Sequence, residues 1–100
     1  MPATLDSFKQ DFPAVWGAYE QLRNSCDQAG PLDTKTAELI KIGISVALEH
    51  GGGLVAHISQ AKKAGAQANE IYQAILLATG LAGFPAVLAA VSTAKNYLNP

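Results

Sequence analysis

From Ile71 to Ala94 the chain carries no charged side chain, and that run constrains its fold more than any other feature. An uncharged span of this length is formally long enough to cross a bilayer as one helix. Its middle, "TGLAGFPA", argues against a span, because Gly80, Gly83 and Pro85 stand where glycine closes one helix and proline opens the next. The run therefore predicts two buried helices of ordinary length and no membrane segment.

The same punctuation divides the rest of the chain. "DSFKQDF" reads as a short amphipathic helix capped by Asp6, and "FPAVWGAYEQLRNSCDQA" as a helix with Pro13 in its first turn. Val15, Trp16, Tyr19 and Leu22 recur there at helical spacing, which predicts one apolar stripe facing a core. "GPLD" breaks the chain, and Asp33 or Thr34 is placed to cap the next helix. That helix, "TKTAELIKIGISVALEH", is apolar around most of its circumference and reads as central. Three glycines stop it, "LVAHISQAKKAG" follows and ends at Gly65, and "QANEIYQAILLATG" and "FPAVLAAVSTAKNYLNP" complete the set. No strand-length alternation and no internal repeat appear, so the expected fold is all-α with about six helices.

One hundred residues, 49% hydrophobic and 15% charged, fit a single domain, residues 1–100, with more apolar positions than a solvated monomer of this size buries. The surplus predicts a homo-oligomer. A net charge of −1 without a basic run excludes nucleic acid as a partner, since that affinity comes from clustered Lys and Arg. The lone Cys26 rules out an internal disulfide and an internal dithiol couple, and reads as a small core or interface residue. "MPATLDSFKQDF" contains no apolar h-region, so a cytoplasmic protein is expected.

Chemistry concentrates in "ALEHGGGLVAHISQAKKAG", where the only two histidines, His50 and His57, flank Gly51, Gly52 and Gly53. If one helix carries both, seven residues bring them onto one face roughly 10 Å apart, with the side-chain-free position 53 between them. Such a slot would admit a small-molecule substrate, with Gly51, Gly52 and Gly53 allowing close backbone approach and the free N–H groups of the new helix favouring a carboxylate or enolate oxygen. Histidine is the natural acid–base group near neutral pH. No cofactor is required by this reading. A metal remains an alternative: the spacing of seven is wrong for one straight helix, but a glycine break would let His50 and His57 join Glu38 or Glu49 in a two-histidine, one-carboxylate set. A phosphate loop fails on residues and context alike.

"GPLDTKTAELIKIGISVAL" followed by "AHISQAKKAGAQANEIYQAILLATGLAGFPAVLAAV" resembles the carboxymuconolactone decarboxylase and alkylhydroperoxidase D superfamily, over roughly residues 12 to 98. The marks are "LDTKTAELI", the histidine eight residues before "GA", the "NEI" opening a helix and the "GFPA" before the last. The resemblance implies an alkylhydroperoxidase D-like helical bundle and a trimer or hexamer. Peroxidase members carry Glu, eleven residues, C-x-x-C, three residues and His. Aligned on Glu38, the cysteine positions hold His50 and Gly53, and the histidine is His57. Thiol peroxidase chemistry is thereby disfavoured, since it needs a nucleophilic thiolate and a resolving partner. Decarboxylase members also lack the pair and keep the histidine as proton donor. The resemblance thus implies His57 as catalytic acid, His50 as a binding or proton-sharing group, and a lyase-type reaction on a small carboxylated or carbonyl compound. Lys41, Lys62 and Lys63 are the cations available to such a substrate. Glu38 lies some 18 Å along the helix from residue 50, so it joins the site only through the fold or another subunit, or else pairs locally with Lys35 or Lys41. A non-catalytic member of the same fold is the other open alternative.

Overall fold

The computed structural model describes residues 3–99, which are helix and turn throughout. The chain falls into two compact units, residues 1–31 and 32–100.

The first unit is a helical hairpin of α1 (Ala3–Asp11) and α2 (Pro13–Gln28). Pro13 starts α2, where its missing N–H costs nothing. Asp6 is not the cap of α1: the helix begins at Ala3, which puts Asp6 in its first turn, where a carboxylate suits the dipole. The hairpin is tied by aromatic contacts, with Phe8 and Phe12 centroids 5.2 Å apart and the Lys9 ammonium 4.9 Å from the Trp16 ring. The predicted stripe is not core: Val15, Tyr19 and Leu22 are all more than half exposed, and α2 buries no residue. Cys26 is likewise exposed in the single chain, so it is not a core residue.

The second unit holds the core. It comprises α3 (Thr34–Ala47), α4 (Gly51–Lys63), α5 (Ala68–Leu76), the single turn α6 (Thr79–Ala82) and α7 (Phe84–Leu98). Asp33 caps α3, its Oδ1 accepting from the Thr36 N–H at 2.8 Å. Glu70 turns back at the start of α5 to accept from the Gln67 N–H at 2.9 Å, and takes Lys35 on its other oxygen at 3.0 Å. Both carboxyls titrate below their ordinary range, first because a backbone N–H donates to each, then because of Thr36 for Asp33 and Lys35 for Glu70. The charge-free run resolves as expected: α5 closes before α6, Gly83 at φ 90° makes the corner, and Pro85 sits in the first turn of α7. Among the described residues no helix is long and apolar enough to cross a membrane.

α3 touches each of the other four helices of this unit. Its inner face places Glu38, Ile42, Ser45 and Val46 at helical spacing, all buried. Ile42 and Val46 meet Leu54 and Ile58 of α4, Ile71 and Ile75 of α5, and Val87 of α7 in one hydrophobic cluster. Burying each such side chain contributes about 1.5–3 kcal/mol. The opposite face of α3 is open instead, with Ile40, Ile44 and Leu48 exposed. It forms one wall of a cavity of about 440 Å³ whose other wall is α5 and the following turn.

Candidate functional site

The α3–α4 hairpin builds the site. α3 ends at Leu48, Glu49 takes a left-handed conformation at φ 52°, and His50 becomes the N-cap of α4. From there α4 runs back along α3 and presents His57 to Glu38, with Glu38 Oε1 2.8 Å from His57 Nδ1. The second carboxylate oxygen of Glu38 accepts from the Lys41 ammonium at 3.2 Å. Glu38 is thus nearly buried, its side chain 10% exposed, yet paired on both oxygens, so neither is left without a partner. The contact through the fold and the local pair with Lys41 both form; Lys35 goes to Glu70 instead.

A carboxylate on one imidazole nitrogen fixes the ring. Nδ1–H donates to Glu38, so Nε2 is the nitrogen left for exchange with a ligand. The ring is 29% exposed, within reach of an arriving small molecule.

His50 does something different. Its Nδ1 accepts from the Gly53 N–H at 2.7 Å and so caps α4 in the way an asparagine oxygen would, Nδ1 lying the same number of bonds from Cα. In that role the neutral ring carries its proton on Nε2. The glycine between the histidines is therefore not an open slot: a Cβ at position 53 would stand 2.5 Å from His50 Nδ1, so the space is filled by the imidazole itself. The Gly53 N–H expected for an anion is already engaged. Gly51 and Gly52 have room for side chains.

The positions read from the sequence thus fall into separate groups. Glu38, His57 and Lys41 are joined by hydrogen bonds, whereas His50 is joined to Gly53 and shares no hydrogen bond with His57. Among the described residues no three His, Cys, Asp or Glu side chains gather as metal ligands, so a set of His50, His57 and Glu38 or Glu49 is not assembled within one chain. The reason is geometric, since His50 turns its Nδ1 onto its own helix while His57 turns its Nδ1 onto α3. Sequence reasoning missed Ser45 and Thr93, which with Glu49 and His50 line a second cavity against α7. The available signal was a serine within the apolar C-terminal half of α3, "IGISVA".

Residues 13–96 match the model of the carboxymuconolactone decarboxylase family, and the chain belongs to that family. The fold is also that of a carboxymuconolactone decarboxylase family protein from Legionella pneumophila whose crystal structure is of the apo form: TM-score 0.86 at 24% identity, covering 97% of this chain and 87% of that one. No curated protein matches the sequence.

Proposed function

We propose that this protein is an acid–base catalyst of the decarboxylase type, acting on a small carboxylated or carbonyl compound with His57 as proton donor. The observation that carries the reading is the 2.8 Å contact between Glu38 and His57, which supplies an oriented imidazole backed by a carboxylate. In the reaction the bond to the carboxyl carbon breaks, carbon dioxide leaves, and the electron pair stays on the substrate as an enolate-like carbanion. That carbon takes the proton from Nε2 of the imidazolium. His57 is left neutral with Nδ1–H on Glu38, and solvent restores the proton. Lys41 donates to the other oxygen of Glu38 and in this reading helps to hold the carboxylate against His57. Peroxidase chemistry draws no support from the site, since position 50 is His, position 53 is Gly, and Cys26 lies on α2 in the other unit.

Assembly into a homo-oligomer is part of the same reading, supported by the exposed Ile40, Ile44 and Leu48 face. The test is carbon dioxide release from a panel of small carboxylated lactones and keto acids. His57→Ala and Glu38→Gln are each expected to lower kcat by about 10²–10⁴, the usual worth of a positioned general acid, with the helical circular dichroism retained. Absence of turnover across the panel, or turnover that survives His57→Ala, overturns the reading.

A further inference from the structure

The cavity between the α3–α4 turn and α7, about 170 Å³ in volume, is lined by neither Glu38 nor His57, so it stands apart from the proposed proton-transfer site. Most of its wall is apolar: Val46, Leu54 and the alanines of α7. Three polar groups face it with hydrogen-bonding capacity to spare. His50 has its Nδ1 committed to Gly53, and its Nε2 has no partner among the described residues. Ser45 is 7% exposed and its hydroxyl likewise has none. Thr93 donates to the Ala89 carbonyl at 3.2 Å, which leaves its oxygen free to accept.

No side-chain N or O among the described residues is buried without a partner, so the Ser45 hydroxyl, which bonds to no protein group, is open to water that a ligand would replace. The charge pattern then restricts what that is. Glu49 is the one charged residue in the lining, and no lysine or arginine accompanies it, so an anionic ligand is disfavoured. The volume is close to that of an engineered apolar cavity of about 150 Å³ that accepts benzene.

We infer that this cavity is a binding site for a small uncharged ring compound bearing a hydroxyl or carbonyl oxygen, which accepts from Nε2–H of His50 while Ser45 satisfies the same polar end and the ring lies against the alanines of α7. The glycines serve this arrangement indirectly: because position 53 has no Cβ, the imidazole folds back onto the helix end and is held in one tautomer. With so few atoms the affinity falls in the millimolar range.

The experiment is a titration of the full chain with phenol, followed by two-dimensional NMR of backbone and histidine ring resonances, with benzoate as the anionic counterpart. Phenol is expected to produce saturable shifts at His50, Ser45 and the Ala86–Ala90 segment, and benzoate none. His50→Asn retains a cap on α4 but deletes Nε2, and is expected to weaken phenol roughly three- to tenfold, the value of one neutral hydrogen bond. Ala89→Leu fills the cavity from its exposed rim and is expected to abolish the shifts while leaving the helical spectrum unchanged. Non-saturable shifts, shifts centred on Ile40 and Ile44 instead, equal binding of benzoate, or full affinity in either variant would overturn the inference. None of these readouts depends on turnover, so the proton-transfer reading stands or falls separately.

Discussion

Replacing each of the three consecutive glycines with alanine tests whether the His50 ring really holds the start of α4. Alanine relieves the backbone entropy of glycine in a helix, a gain of about 0.5–1 kcal/mol per position. At Gly51 the added methyl meets nothing within 4 Å, and at Gly52 it meets only His50 Cε1 at 3.9 Å, an ordinary contact. Both variants are expected to be more stable than the parent. At Gly53 the methyl would stand 2.5 Å from His50 Nδ1, too close for both to stay. The imidazole is the part able to move, and in swinging away it gives up the 2.7 Å bond to the Gly53 N–H. Loss of an N-cap costs about 1 kcal/mol, which offsets the propensity gain and leaves Gly53→Ala neutral or destabilising by up to about 0.5 kcal/mol. The decisive measurement is a double-mutant cycle by urea denaturation, with the slope checked for constancy. In a His50→Ala background the cap is already absent, so Gly53→Ala recovers its full gain and the cycle yields a coupling of about 1 kcal/mol. A Gly53→Ala variant as stabilised as its two neighbours, with no coupling to residue 50, refutes the account of His50 as a cap.

Other expectations rest on separate features. Glu49→Gly relieves a left-handed backbone at the end of α3 and is expected to stabilise by about 1 kcal/mol in the same denaturation assay. Asp33 and Glu70 have depressed folded-state pKa values, so their contribution is complete above the ordinary carboxylate range and is lost as pH falls through the folded values. Thermal melts of the parent should therefore weaken on acidification, and the Asp33→Ala, Glu70→Ala double variant should lose less over the same window. Ile44→Asp places a charge on the exposed face of α3, and light scattering is expected to show a shift from oligomer to monomer with the helical spectrum kept. A parent protein that is already monomeric counts against assembly through that face.

Much of the fold was legible because glycine, proline and apolar spacing act locally. Asp33 as a cap, Gly65 after α4, and the break at Gly83 and Pro85 follow from backbone chemistry that needs no tertiary information. What failed depends on how many layers cover a helix. The Val15, Tyr19, Leu22 stripe has the spacing of a core face, but spacing cannot say that the hairpin carrying it is only two helices deep. The circumference of α3 likewise looked uniformly apolar, yet only the side of Ile42 and Val46 is buried in the chain. At the site, Glu38 and His57 are nineteen residues apart and meet only because α4 doubles back along α3. Their approach was left open by a spacing argument confined to one helix. His50 was placed on the same helix face as His57, and that geometry hides the rotamer, since an imidazole turned onto its own N-terminus is indistinguishable in sequence from one facing a ligand.

The two halves of the motif are therefore built by different forces. Glu38 and His57 are brought together by packing between α3 and α4, through Ile42, Leu54 and Ile58, none of which depends on what occupies positions 50 and 53. Positions 50 and 53, where the peroxidases this chain resembles carry thiols, are coupled to each other instead. An imidazole at 50 in the observed rotamer leaves no room for a Cβ at 53, so this rotamer and a side chain at 53 are mutually exclusive. His50 and Gly53 are in that sense one structural unit, a ring that fills both places and caps the helix. The carboxylate-backed imidazole beside it is held by contacts of its own, and the proposed proton transfer at His57 draws on that pair and not on the glycines.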